Sequence, residues 1–247
     1  QEDLKNPSIT NIKEYYKKWY VPNNMAICLS GDFDPDQMIA TIDKYFGGLK
    51  PNPDLPKLDL PKETPITAPV VREILGPDAE SVALAWRFPG AADKDVETLQ
   101  VVSQILYNGQ AGLIDLDLTQ QQKTLSAYCY PMTMSDYSAF MMQGRPKQGQ
   151  TLDEVKDLLL GELKKLREGD FDEKMLEANI NNFKLYQMQQ LENNDARADM
   201  FVESFVNGSD WADEVTALDR MSKLTKDDIV AFANKYLKDD NYAVIYK

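Results

Sequence analysis

Histidine is missing altogether from the 247 residues of this chain. Its absence removes imidazole-ligated zinc, Ser-His and Cys-His nucleophile pairs, and any imidazole general base. Cysteine is nearly as scarce: Cys28 and Cys129 are the whole complement. They lie far apart in apolar, strand-like runs, which excludes a Cys-rich metal knuckle or a disulfide-rich scaffold and leaves buried free thiols as the simple expectation, with one long-range disulfide as the alternative. The 12 glycines never stand two residues apart, and no Gly-Lys-Ser/Thr occurs, so phosphate-cradling loops are excluded. Ser-x-x-Lys and Gly-x-Ser-x-Gly patterns are also absent. Positive charge is in deficit, 27 Lys+Arg against 40 Asp+Glu for a net −13, and such a field repels a phosphate backbone; no nucleic-acid partner is expected. The longest apolar run, around Met25 to Leu29, is far short of the roughly 18–20 residues of a membrane span. The chain opens on Gln1 without a basic-then-apolar leader pattern and reads as a piece of something longer.

What is present is ordinary globular material, 43% hydrophobic, sufficient for one large domain or two small ones. Ile12, Tyr15, Tyr16 and Trp19 recur at helical spacing behind a Ser8 N-cap. Met25–Ser30 then reads as a buried strand, and Pro35 to Phe46 as a second helix closed by Gly47-Gly48. Prolines at 51, 53, 56, 61, 65 and 69 enforce an extended connection, because each fixes φ and biases its predecessor away from helix. This divides the chain into residues 1–49, a Pro-rich linker at 50–66, and a complete unit at 67–247.

In that last unit, 70–75 and 81–88 read as paired strands around Gly76-Pro77, followed by a helix striped with Val96, Leu99, Val102 and Leu106. A short helix near 113–118 and strands at 125–133 and 137–144 come next. Thr151 and Glu154 form a capping-box pattern opening a helix with apolar face Leu152, Val155, Leu159, Leu163 and Leu166. Asp172, Asp210 and Thr225 open further helices, and a strand at 242–246 closes the chain, all five strands being expected in one sheet. The two ends resemble each other: each is an amphipathic helix, a polar turn and an apolar strand, with Tyr20 matching Tyr236 and Ile27 matching Val244.

The motifs that could carry chemistry are thin. Asp32, Asp34 and Asp36 have alternate calcium-loop spacing, but Gln37 stands where the turn needs Gly and Asp43 where a bidentate Glu belongs. An N-cap at Asp34 with Pro35 in the first helical position explains them better. Asp115 and Asp117 stand two apart, off a common helix face, and read as solvated or capping carboxylates. The charged run from Glu162 to Lys174 reads as a solvated helix face, and Tyr186, Met188 and Leu191 as packing residues.

The segment IKEYYKKWYVPNNMAICLSGDFDPDQM, with IDKYFGGL after it, resembles the pitrilysin/insulinase/mitochondrial processing peptidase family of zinc metallopeptidases. The resemblance rests on Tyr20, Pro22, Asn24, Gly31, Asp32, Phe46 and Gly47, and again on TKDDIVAFANKYLKDDNYAVIY at the other end. It implies an α+β fold, a two-layer metallopeptidase-like unit whose mostly antiparallel sheet carries helices on one face, preceded by a helix-strand-helix remnant of a similar, catalytic-type unit. Family catalysis rests on a His-x-x-Glu-His zinc motif and a distal Glu. None can be drawn from a chain without histidine, so zinc is implied for the parent protein and no cofactor or catalytic residue for this chain.

The family also places an Arg and a Tyr seven residues apart near the scissile bond. Here the matching stretch is QQKTLSAY, with Tyr128 present as a substrate-binding candidate and Gln121 in the Arg position, an uncharged group that cannot steady an oxyanion as guanidinium does. The resemblance therefore implies a non-catalytic portion of a zinc-dependent endopeptidase, forming scaffold and substrate-chamber wall, with the catalytic unit of the same parent chain and a peptide substrate as partners. The alternative is a catalytically silent structural or interaction subunit of the same fold that pairs with an active partner.

Overall fold

The computed structural model describes residues 2–57 and 61–247. Its elements begin with α1 (Glu2–Lys5), α2 (Ile9–Trp19) and α3 (Pro35–Phe46), then β1 (Val70–Glu73), β2 (Val82–Pro89) and α4 (Lys94–Leu106). A π-helical turn (Asp115–Thr119) leads to β3 (Ser126–Met132) and β4 (Tyr137–Arg145). Then follow α5 (Leu152–Glu168), α6 (Glu173–Glu192), α7 (Asn194–Asn207), α8 (Trp211–Glu214), α9 (Ala217–Met221), α10 (Lys226–Tyr236) and β5 (Tyr242–Tyr246). By internal contacts the chain forms two units: residues up to Glu63 with Glu192–Phe205, and Thr64–Leu191 with Val206–Lys247.

In the first unit local signals dominate. Ser8 accepts from the Asn11 N–H and Asp34 from the Gln37 N–H, so both α2 and α3 start where their capping residues stand. After α2, Asn23 and Asn52 exchange side-chain–backbone hydrogen bonds of 2.8 and 2.9 Å, tying the start of the Pro-rich stretch to the turn. No helix forms in the described part of residues 50–66; residues 58–60 of that stretch lie outside the described residues. The strand expected at Met25–Ser30 is not formed: the segment is extended at Met25 but joins no sheet, and Met25, Ile27 and Leu29 are all exposed. Its apolar alternation suits a ladder, and no sheet among the described residues offers it one. Cys28 within it is half-buried and free. Neither α2 nor α3 buries a residue.

The second unit holds the core. Its sheet runs β1-β5-β2-β4-β3, with β1 and β5 parallel and every other pair antiparallel. The expected β1–β2 pairing is replaced, because β5 enters between them: Val82 and Leu84 face Tyr246 and Val244, while Val70 and Val71 face Ala243 and Val244. Along β2 the burial alternates strictly, and Val82, Leu84, Trp86 and Phe88 point into the core.

That inner face is covered by α4, α5 and α10. The predicted stripes hold: Leu99, Val102 and Leu106 of α4 and Val155, Leu159, Leu163 and Leu166 of α5 are fully buried. Each such side chain stabilises the fold by about 1.5–3 kcal/mol. Gly144 lets α5 lie close on β4, since a Cβ there would stand 2.4 Å from Val155 Cγ1. Both capping boxes form, Thr151 with Glu154 and Thr225 with Asp228, and Gly169 ends α5 at φ 72°. Tyr186 and Met188, expected to pack, are instead exposed on α6 at 62% and 65%, as is Leu191 at 45%.

Candidate functional site

Because helices cover one face of the sheet, the alternate residues of its strands form the other. The register builds two rows across it: Tyr128, Gln143, Ala83, Ile245 and Arg72, then Tyr130, Met141, Ala85, Ala243 and Val70. All ten are half-buried except Arg72, which is exposed. Small alanines in the middle strand leave the backbone approachable there, while tyrosines and a carboxamide stand on the β3 side.

Tyr128 donates to Gln143 Oε1 at 2.6 Å, and Gln143 Nε2 donates to the Tyr130 hydroxyl at 3.4 Å. The Tyr128 ring stacks toward Tyr130 with centroids 6.1 Å apart and lies 6.3 Å from that of Tyr107. The result is a neutral aromatic and amide strip. Gln121 goes elsewhere: it sits on the exposed turn after the π-helical segment and donates to Asp117 Oδ1 at 3.3 Å. No hydrogen bond joins it to Tyr128. Gln143 and Tyr130 escaped the sequence reading; the alternating Tyr128-Cys129-Tyr130 pattern was the only available sign of them, since register alone puts Gln143 between the two hydroxyls.

Beneath the strip, Cys129 is buried and donates to the Ser103 carbonyl at 3.7 Å; burial pushes its thiol pKa far up, so it is no nucleophile. Among the described residues no group of three or more Cys, Asp or Glu side chains is placed to hold a metal ion. With no histidine and two separated thiols, the donor set of this chain does not fit a catalytic zinc.

Several charged residues are less solvated than their sequence suggests. Asp115 is only 4% exposed, and its Oδ2 accepts from the backbone N–H groups of Asn108, Gly109 and Gly112 at 3.0, 3.1 and 3.0 Å. It caps a loop rather than facing water. Asp117 is half-buried and paired with Lys165 Nζ at 2.7 Å. In the run from Glu162 to Lys174, expected to be a solvated face, Glu162 is 3% exposed and meets the same ammonium at 3.1 Å. Arg167 is turned inward as well, onto the Leu237 carbonyl at 2.6 Å.

Glu162 supplies a pH prediction. Burial raises its carboxyl pKa above the usual 4.5; Lys165 opposes the rise and Asp117 adds to it. A group that binds its proton more tightly when folded adds stability as pH falls through its folded pKa toward its unfolded value. Glu162→Gln removes that contribution. The unfolding free energy of the variant relative to wild type is therefore expected to be higher at about pH 8 than at about pH 5, measured by urea titration at both. An equal difference at the two pH values would contradict the assignment.

Fold and site together define an α+β unit with one helix-covered and one open sheet face. The chain matches the family model described as the Peptidase M16 inactive domain over residues 8–183, and it belongs to that family. The zinc protease PqqE of Helicobacter pylori is 24% identical to it over 251 residues, covering 99% of this chain and 56% of the relative. A crystal structure of a protease from Helicobacter pylori superposes with a TM-score of 0.90 at 22% identity, over 99% of this chain and 60% of that one. The Peptidase M16 inactive domain from Pseudomonas fluorescens gives 0.83 at 18% identity, covering 97% and 57%. The chain thus spans little more than half the length of these relatives. Among the described residues no helix is long and apolar enough to cross a membrane.

Proposed function

We propose that this chain is the non-catalytic portion of a zinc-dependent endopeptidase, and that the open face of its sheet forms part of the wall of a substrate chamber. The observation that carries the reading is the sheet itself. One face packs on α4, α5 and α10, while the other presents a floor of alanines beside the Tyr128–Gln143–Tyr130 strip, with Arg72 and Arg87 on the same face. Such a floor suits an extended peptide, whose main chain needs close approach and polar contacts. Tyr128 serves there as a substrate contact; Gln121, bonded to Asp117, contributes no charge to the scissile bond.

Residues 1–49 are read as the end of a preceding catalytic-type unit, 50–66 as the linker and 67–247 as a complete non-catalytic unit. The matched ends support this. Phe232 and Tyr236 of α10 pack on Phe88, with ring centroids 5.8 and 4.8 Å from it, beside a strand in the sheet. Tyr16 and Tyr20 at the end of α2 have the same spacing and stack on each other at 4.5 Å, yet both are exposed. A cleft of about 470 Å³ lined by Pro22, Met25, Ile27, Ile39, Phe46 and Leu49 adds further uncovered apolar surface.

Zinc and the water it activates belong, in this reading, to the catalytic unit of the same parent chain. The 247-residue chain alone is therefore expected neither to retain zinc through dialysis nor to cleave a quenched peptide library, whereas the native full-length product does both. Chelator-sensitive turnover by this chain alone would overturn the assignment. A native full-length product without zinc or activity would decide for the silent-subunit alternative.

A further inference from the structure

A polar cleft of about 470 Å³ opens in the second unit between the loop after α4 and the first half of α6. Its volume falls within the roughly 300–1,000 Å³ typical of small-ligand sites. Its walls carry Gln104, Asn108, Gln110, Asn179 and Asn182, with Lys174 as the one ionised group and no carboxylate. On a chain with 40 acidic residues, a cleft lined by five carboxamides is a distinct chemical environment.

Asn108 and Asn179 set its polarity. Asn108 Oδ1 accepts from the N–H groups of Gln110 and Ala111 at 3.0 and 2.8 Å, which fixes that amide's orientation. Its Nδ2 therefore faces the other way, donating to the Gln104 carbonyl at 3.2 Å and to Asn179 Oδ1 at 3.3 Å. Asn179 is thus oriented in turn. Its oxygen is used, while its Nδ2 is buried without a hydrogen-bond partner, on a side chain 2% exposed that lines the cleft. An orphaned buried donor costs about 1–3 kcal/mol, a penalty that an incoming acceptor relieves. The side chains of Gln104, Gln110 and Asn182 supply further donors and acceptors around it.

We infer that this cleft is a peptide subsite, in which the carboxamides pair with main-chain amide groups of an extended polypeptide and Asn179 Nδ2 donates to a peptide carbonyl. Two features select a neutral amide over an anion. Each carboxamide offers a carbonyl acceptor and N–H donors, which pair with the N–H and C=O of a peptide group without adding charge. Asn108 is also held from behind by the buried carboxylate of Asp115, whose charge opposes a second anion at short range. The inference rests on the chamber-wall reading only for the source of the peptide.

The test uses the full 247-residue chain, labelled with ¹⁵N, and a blocked tetra-alanine peptide as probe. Saturable shifts of the Asn179 and Asn108 side-chain amides are expected, with a dissociation constant of about 1 mM or below. Asn179→Leu should weaken binding about tenfold with little change in the unfolding midpoint, because it removes a buried unpaired donor while Asn108 Nδ2 keeps the Gln104 carbonyl. Asn182→Ala, at an exposed rim position, should weaken it about threefold and cannot be dismissed as misfolding. Lys174→Gln should leave it unchanged. The absence of saturable shifts up to about 10 mM would overturn the inference. Free glutamine binding as well as the peptide would do so too, as would a blocked acidic peptide preferred by tenfold and lost in Lys174→Gln. None of these failures touches the chamber-wall proposal, which is judged on the zinc content and hydrolytic activity of the full-length product.

Discussion

Replacing Trp86 with alanine is expected to cost the second unit about 3–5 kcal/mol, the largest loss of any single truncation considered. Trp86 lies at the middle of β2, fully buried, with Phe140 beside it on β4 and Tyr242 on β5. Its ring centroid is 6.2 Å from that of Phe140 and 5.1 Å from that of Tyr242, so one side chain joins three strands on the core face. Truncation opens a large apolar cavity that neighbouring strands, fixed in register, cannot collapse to fill. It also orphans the Lys238 carbonyl, which accepts from Trp86 Nε1 at 3.1 Å and anchors the turn between α10 and β5. Trp86→Phe keeps most of the ring volume but loses the N–H, and is expected to cost less than half as much. Urea unfolding followed by far-UV circular dichroism measures both. A loss below about 1 kcal/mol for Trp86→Ala would show that the sheet does not depend on this contact.

Asp115→Ala is the second large effect, expected at about 2–4 kcal/mol. One carboxylate oxygen accepts three backbone N–H groups, and these define the loop at Asn108–Gly112. Without it, three donors in a part-buried loop lose their acceptor together. A Cβ on Gly112 would stand 2.6 Å from the Leu106 carbonyl oxygen, so the loop is already folded tightly back on the end of α4. Hydrogen exchange at Asn108, Gly109 and Gly112 is expected to accelerate by at least tenfold in the alanine variant. Asp115→Asn retains an acceptor but not the charge, and should fall between the two. Unchanged exchange in Asp115→Ala would mean that the loop is held by other contacts. Because Asn108 orients Asn179, the same variant should also disturb the carboxamide cleft.

Much of the second unit was legible in the sequence because it is encoded locally. Thr151 with Glu154 and Thr225 with Asp228 announce helix starts through bonds three residues long, and the stripes along α4 and α5 follow from helical period alone. The five strand segments likewise show in their apolar runs, and a chain without histidine offers no ligands for a family-type zinc centre. The family matches at the two ends were also readable, since they are runs of consecutive residues.

Pairing and burial were not encoded that way. Two strands separated by a short Gly-Pro turn read as a hairpin, yet β5, from the far end of the chain, takes the place between β1 and β2. Ladder hydrogen bonds join residues without regard to their separation, so a local pattern specifies a strand but not its neighbour. Met25–Ser30 is the converse: its composition is right for a strand, but a strand exists only where a ladder is available to it. The carboxylates show the same limit. Asp115 reads as solvated or capping and Glu162 as solvated; a loop folded over Asp115 settles it as a cap, and Glu162 is buried beside Lys165 by tertiary packing. Local sequence determined where the strands and the α4, α5 and α10 helices of the second unit lie and where those helices cap. Tertiary structure alone decided which strand lies beside which, which charges leave water, and which amides converge at Asn179, because those depend on groups brought together across long stretches of chain.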